Sequence, residues 1–198
     1  MRRAVFIDKD GTLISNVPYN ADPDKIVLEY GAIEALRLLQ EKGYALIVVS
    51  NQAGIAHGYF REEEMLPVID RVRQLLREGG IVLDGFYYCP HHPAGKVTQY
   101  AISCMCRKPL PGMLLQAAEE MDIFLPESWM IGDILHDVEA GNRAGCRSIL
   151  LNKGNETVWE MNDYNKPEHI ADNMLEAARL IVKHSTAKLE TWNSFIKR

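Results

Sequence analysis

The sequence predicts an α/β fold: a Rossmann-like three-layer sandwich, with helices on both faces of a mostly parallel sheet. Three observations predict it. Short apolar runs alternate along the chain with longer segments of helical spacing. Short polar motifs fall at the carboxyl ends of those runs, at Asp8, Ser50, Cys89 and Asp133, where open parallel sheets bind their ligands. The chain has 198 residues and is 47% hydrophobic, enough for one domain with a sizeable core.

Each element follows from a local pattern. Residues 4–7 form a buried strand ending at Asp8. Residues 31–42 form a helix with Ile33, Leu36 and Leu39 on one face, stopped by Gly43. Residues 45–49 form a second strand, running into a polar turn over 50–54. In 62–78, Met65, Leu66, Ile69, Val72, Leu75 and Leu76 keep the helical period until Gly79-Gly80. Residues 84–88 form a third strand. Residues 89–108, rich in Cys, His, Pro and Gly, are read as irregular. A helix over 112–121 turns Met113, Leu114, Ala117 and Met121 inward. Residues 129–131 and 147–151 are strands on either side of a helix over 137–144. Residues 170–183 form the last packing helix, with Met174, Leu175, Ala178 and Ile181 on one side. Repeats and linkers are absent. The expected organisation is one domain over 1–183, with the loop 89–108 inserted. A tail over 184–198 carries Leu189, Trp192 and Ile196 at the spacing of an amphipathic helix.

Composition excludes several functions. A net charge of −5 disfavours general nucleic-acid binding. No apolar run reaches the ~18 residues that a membrane span needs. The charged and then apolar N-terminus stops at Asp8, too soon for a secretory signal. A cytoplasmic, monomeric protein is expected. Three of the four cysteines lie between Cys89 and Cys106, and in a cytosolic chain that clustering favours metal over disulfides. Three thiolates, Cys89, Cys104 and Cys106, with one imidazole suit tetrahedral zinc, and His91 and His92 compete for the fourth position. Cys146 reads as a small core residue.

The segment Asp8-Lys9-Asp10-Gly11-Thr12 follows a buried strand. Ser50 ends the second strand, Lys108 precedes Pro109 and a helix, and Gly132-Asp133 follows a later strand with Asp137 beyond it. Taken singly, each has an ordinary explanation as a turn former, a cap or a solvated lysine. In this order they resemble the haloacid dehalogenase superfamily of phosphatases over roughly residues 4–151. The stretches SNQAGIAHG, CPHHP and CRKPLPGM resemble its heptose bisphosphate and histidinol phosphate phosphatase branch.

That resemblance implies a phosphohydrolase with Asp8 as covalent nucleophile and Asp10 as general acid and base. A carboxylate is already ionised at pH 7, so Asp8 needs no activating base. Magnesium is implied on the Asp8 carboxylate, the Asp10 carbonyl and the Asp133 carboxylate. Ser50 and Lys108 are implied to hold the phosphoryl oxygens. The resemblance selects His91 as the fourth zinc ligand, leaving His92 at the surface or facing substrate. The inserts are too short for a large cap domain, so the site is expected to be open, which also disfavours a phosphomutase. Specificity then falls to Asn16, Tyr19, Asn51, Gln52, Ala53 and Arg107. The substrate is expected to be a small sugar bisphosphate, heptose 1,7-bisphosphate losing its 7-phosphate, with histidinol phosphate as the alternative. A non-catalytic zinc-stabilised binding module is the reading from a different class, and the complete set of acidic and basic residues argues against it. The chain departs from the branch twice. Ile134 stands where heptose enzymes often carry lysine, and Asn152-Lys153-Gly154-Asn155 replaces an arginine-threonine-glycine turn. Lys153 is the candidate to restore the missing cation.

Overall fold

A computed structural model of the protein describes residues 1–196, with side chains described through residue 186. Its strands are β1 (Arg3–Ile7), β2 (Tyr44–Asn51), β3 (Gly85–Cys89), β4 (Trp129–Gly132), β5 (Arg147–Leu151) and β6 (His169–Ala171). They form one six-stranded sheet in the order β3-β2-β1-β4-β5-β6. Every neighbouring pair is parallel. The chain runs outward from β1 to β3 and returns to β4 on the other side of β1. The crevice at that reversal is where such a sheet places its ligand.

Alternate side chains of the strands feed two cores. Val5, Ile7, Leu46, Val48, Trp129 and Ile131 face one layer, with α1 (Ala32–Glu41), α3 (Met65–Glu78) and α6 (Met174–Ile196). Ala4, Phe6, Ala45, Ile47, Val49 and Met130 face the other, with α4 (Gly112–Met121) and α5 (Leu135–Ala144). This period of two is the geometry of a pleated strand buried on both sides. Each large apolar side chain that is fully buried contributes about 1.5–3 kcal/mol relative to exposure.

Four details differ from the sequence reading. The expected turn over 50–54 is instead the end of β2 followed by a short helix, α2 (Ala53–His57), closed by Gly58 at φ 74°. Leu66 keeps the helical period but is exposed, because α3 buries only Met65, Val68, Ile69, Val72 and Leu76 fully. Ile170 belongs to β6, an edge strand of 3 residues that is too short to show an alternation. The last helix begins at Met174 and runs on to Ile196 without a break. The side chains of Leu189, Trp192 and Ile196 lie outside the described ones.

The β1–β2 connection holds α1 and a loop, and the β2–β3 connection holds α2 and α3. Among the described residues no cap domain stands over the strand ends, and no helix is long and apolar enough to cross a membrane. Between Cys89 and Gly112 the chain forms neither helix nor strand. It packs against α2, where the Lys96 and Val97 amides donate to the Ala56 carbonyl at 2.7 and 2.9 Å. The Tyr88 and Tyr100 hydroxyls both donate to Glu62, at 3.1 and 2.5 Å.

Candidate active site

Asp8 leaves β1 with its amide donating to Ile131 on β4 at 2.9 Å, which fixes it at the mouth of the crevice. The Lys108 ammonium reaches it from the far end of the irregular loop. It donates to the Asp8 carboxylate and, at 2.9 Å, to the Val49 carbonyl of β2. It also lies 2.6 Å from Asp137, an ion pair outside hydrogen-bond geometry. Lys108 is 2% exposed and Asp137 fully buried, so each charge depends on the other. Burial alone would pull the lysine pKa down, but Asp137 and Asp8 outweigh it and hold the ammonium above its ordinary value. Burial lifts the Asp8 carboxyl well above the carboxylate range. Lys108 opposes that lift, while Asp137, Asp133 and Asp10 add to it.

Asp10 sits on the loop beyond β1, partly exposed. Gln52 donates to its Oδ2 at 3.0 Å and to the Ser50 hydroxyl oxygen at 2.7 Å. Asp133, at the end of β4, accepts from Thr12 at 3.1 Å and from Asn155 at 2.7 Å. Burial first, then Asp137, raises its pKa to about 6 against those two hydrogen bonds. Gly11, at φ +82°, lets Asp133 lie over the loop, because a Cβ there would come within 2.2 Å of the Asp133 carboxylate.

The carboxylates of Asp8, Asp133 and Asp137 offer oxygens within 4.8 Å of one another. This buried, all-oxygen set has one ammonium among three acids, and burial raises the pKa of two of them. A hard divalent cation such as Mg²⁺ would supply the missing positive charge, so the residues fit it. Lys108 pairs with both Asp8 and Asp137; Asp137 is fully buried beneath it, whereas Asp8 and Asp133 stand at the ends of β1 and β4.

The second donor set also closes. Cys89, Cys104 and Cys106 bring their sulfurs within 3.1–3.5 Å of one another. His91 Nδ1 lies 3.4 Å from Cys106 and 3.7 Å from Cys89. Donors about 2.3 Å from a tetrahedral zinc stand about 3.7 Å apart, so the set fits Zn²⁺. The close Cys89–Cys106 contact splits the two thiols: Cys106 drops to about 5 and Cys89 rises. Of the two competing histidines, His91 faces the sulfurs. His92 instead lies 4.7 Å from the His57 ring, and its pKa is lowered by burial, Arg107 and His57. Cys146 is buried in the second core.

The expected specificity residues disperse. Both amide atoms of Asn51 are taken by the Lys108 backbone, at 3.0 Å each, so Asn51 positions the lysine. Gln52 is turned to Asp10 and Ser50, and Ala53 opens α2. Arg107 donates to the His91 carbonyl at 3.3 Å. Asn16 is exposed on the loop after β1. Tyr19, at φ 53°, packs edge-on against Tyr59 with ring centres 4.7 Å apart. Lys153, the candidate cation, pairs with Glu29 at 2.5 Å and donates to the Gly11 carbonyl at 3.1 Å, bracing the loop that carries Asp10. Sequence reasoning gave no role to Thr12 or Asn155, and none of its own to Asp137. A hydroxyl after the D-x-D-G run was the available signal for Thr12. Asn155 had none.

Residues 105–177 match the HAD-hydrolase-like family. The D-glycero-beta-D-manno-heptose-1,7-bisphosphate 7-phosphatase of Pasteurella multocida is 39% identical over 91% of this chain and 97% of its own. That of Haemophilus influenzae is 41% identical, over 89% and 93%. The chain belongs to the heptose bisphosphate phosphatase branch of the HAD-like phosphatases. A HAD-like protein of Mesorhizobium loti superposes with a TM-score of 0.79 at 34% identity, covering 91% of this chain and 87% of that one. The D,D-heptose 1,7-bisphosphate phosphatase of B. bronchiseptica, solved with magnesium and phosphate, shares the fold with a TM-score of 0.76 at 24% identity, covering 92% and 99%. As a member of this branch the protein is a phosphoric monoester hydrolase.

Proposed function

We propose that the enzyme removes the 7-phosphate of D-glycero-β-D-manno-heptose 1,7-bisphosphate through an aspartyl-phosphate on Asp8. One observation carries the reading. A chain matching nearly the full length of named 7-phosphatases brings Asp8, Asp10, Ser50, Lys108 and Asp133 to one crevice. An Asp8 oxygen attacks phosphorus, and the sugar oxygen leaves with a proton from Asp10. Water then attacks the phosphoryl group and returns a proton to Asp10, releasing phosphate and restoring Asp8. Lys108 and Ser50 hold the phosphoryl oxygens, Lys108 by charge and Ser50 by its hydroxyl. Asp8, Asp133 and the Asp10 carbonyl would hold magnesium, which would supply positive charge to offset that of the phosphoryl group. Zinc on Cys89, His91, Cys104 and Cys106 is structural, since four protein ligands leave no position for water.

The sugar would meet the cluster of rings formed by Tyr19, Tyr59, His57 and His92. Tyr19 holds a left-handed backbone that a bulky side chain rarely adopts, a feature that clusters at ligand sites. We take the enzyme to be a cytoplasmic monomer acting on a small substrate, and its net charge of −5 disfavours general binding of nucleic acid. Steady-state rates on both anomers of heptose 1,7-bisphosphate and on histidinol phosphate test the assignment. The β-anomer is expected to give kcat/KM at least about tenfold above either alternative, a difference of about 1.4 kcal/mol in transition-state binding. Equal values for all of them would overturn it.

A further inference from the structure

We infer that Lys9 is a positioning residue that, together with Gln52, holds the Asp10 carboxylate in its proton-transfer orientation. The inference rests on the acid–base reading of Asp10 given above. Lys9 stands between the two aspartates and is 1% exposed, yet it is a lysine. A buried ammonium costs several kcal/mol unless it is paired, so its partner is informative. That partner is Asp10, whose Oδ1 lies 3.0 Å from the Lys9 ammonium. Oδ2 of the same carboxylate accepts from Gln52, also at 3.0 Å, and Gln52 is itself buried. Each carboxylate oxygen therefore has its own partner, the Lys9 charge on one and a hydrogen bond from Gln52 on the other. Gln52 uses the same nitrogen to reach Ser50, tying the acid to a phosphate-side hydroxyl.

The pocket divides its lysines between its aspartates. Lys108 serves Asp8 and Asp137, and Lys9 serves Asp10. Without Lys9 the Asp10 side chain, on a loop and partly exposed, keeps only the Gln52 hydrogen bond and can turn about it. Proton transfer needs the acid within about 2.6–3.2 Å of the leaving oxygen, and a displacement of about 1 Å costs on the order of 10²-fold in rate.

Leaving-group dependence separates this role from a general structural one. A sugar phosphate expels an alkoxide that needs a proton, whereas 4-nitrophenyl phosphate expels a phenolate that does not. For Lys9→Met, kcat/KM on the sugar phosphate is expected to fall about 10–100-fold, part of the 10²–10⁴ that general acid catalysis supplies. On the aryl ester it is expected to stay within about threefold. Lys9→Arg is expected to recover most of the loss. Zinc content and a thermal melt report whether Lys9→Met folds. If it does not, Lys9→Gln carries the test, with the same split expected. Equal losses on both esters, or no loss on either, would overturn the role of Lys9. Asp10→Asn serves as the control. A split for Asp10→Asn without one for Lys9→Met sinks the Lys9 role alone. Equal losses for Asp10→Asn sink the acid role of Asp10, and the clamp with it.

Discussion

The strand-end pocket and the loop from Cys89 to Lys108 solve the same problem, holding polar groups in place, by opposite means. In the pocket, geometry comes from the sheet. Asp8 is pinned to Ile131 on β4 and Lys108 to Val49 on β2, so two registered strands set the spacing. In the loop there is neither helix nor strand, and the ligand atoms of Cys89, His91, Cys104 and Cys106 gather within 4.8 Å of one another. The pocket's charges are carried by the sheet, while the loop's donors add to a few hydrogen bonds to α2, Glu62 and Asn51 in ordering a segment without regular structure. The two regions meet at Cys106-Arg107-Lys108. Changes in the pocket that leave no buried charge unpaired should therefore cost activity and spare the fold. Changes in the loop should cost local order and reach activity only through Lys108.

The most severe break comes at Asp8. Asp8→Asn is expected to lower kcat by more than about 10⁴-fold, as loss of a nucleophile does. The melting temperature is expected to hold or rise, because burial already disfavours the Asp8 charge and Lys108 keeps Asp137 as a partner. A melt several degrees lower would show that the pocket helps to build the fold, and the contrast would fail.

Lys108→Met comes second and sharpens the comparison within the pocket. Activity is expected to fall about 10²–10³-fold, the usual cost of removing one electrostatic stabiliser of the transition state. Here stability should fall too, by about 3–5 kcal/mol, since fully buried Asp137 loses its counter-charge. Adding Asp137→Asn should restore the melt and leave activity low. Failure of that rescue would mean that Lys108 holds the loop as well as the charge.

How legible each region was follows from the range of its contacts. Asp8, Ser50 and Asp133 could be read because each ends an apolar strand, so their convergence followed from the topology alone. The cysteines were legible by type and clustering. The choice between His91 and His92 turned on which ring faces the sulfurs, a matter of loop conformation that spacing does not encode. Asp137 lies one turn into α5, and only docking of that helix brings it to Lys108. The pairing of Lys153 could not be read, because its partners, Glu29 and Gly11, come from a distant loop that the sequence does not place beside it. Asn51, adjacent to the expected phosphate donor, proved to serve the Lys108 backbone instead. Strand-end residues inherit their positions from the sheet, whereas pairings between loops exist only after packing.

The mildest expected effect tests the loop. Cys104→Ser removes one of four donors, so bound zinc should fall from about one per chain, the content of a closed tetrahedral site. The sheet and its two cores lie elsewhere, so amide protection in β1, β2 and β4 should persist while the residues between Cys89 and Lys108 become open to proteolysis. Activity should fall only about 10–100-fold, the range seen when the support of a site is lost and its chemistry kept. Asn51 still grips the Lys108 backbone from β2, and this should keep the loss from reaching that of Lys108→Met. Chelating zinc from the wild-type enzyme should reproduce the same pattern, and returning zinc should reverse it. If losing zinc instead unfolded the whole sheet, the loop would be part of the fold's foundation, and the division between a sheet-built pocket and a metal-built loop would collapse.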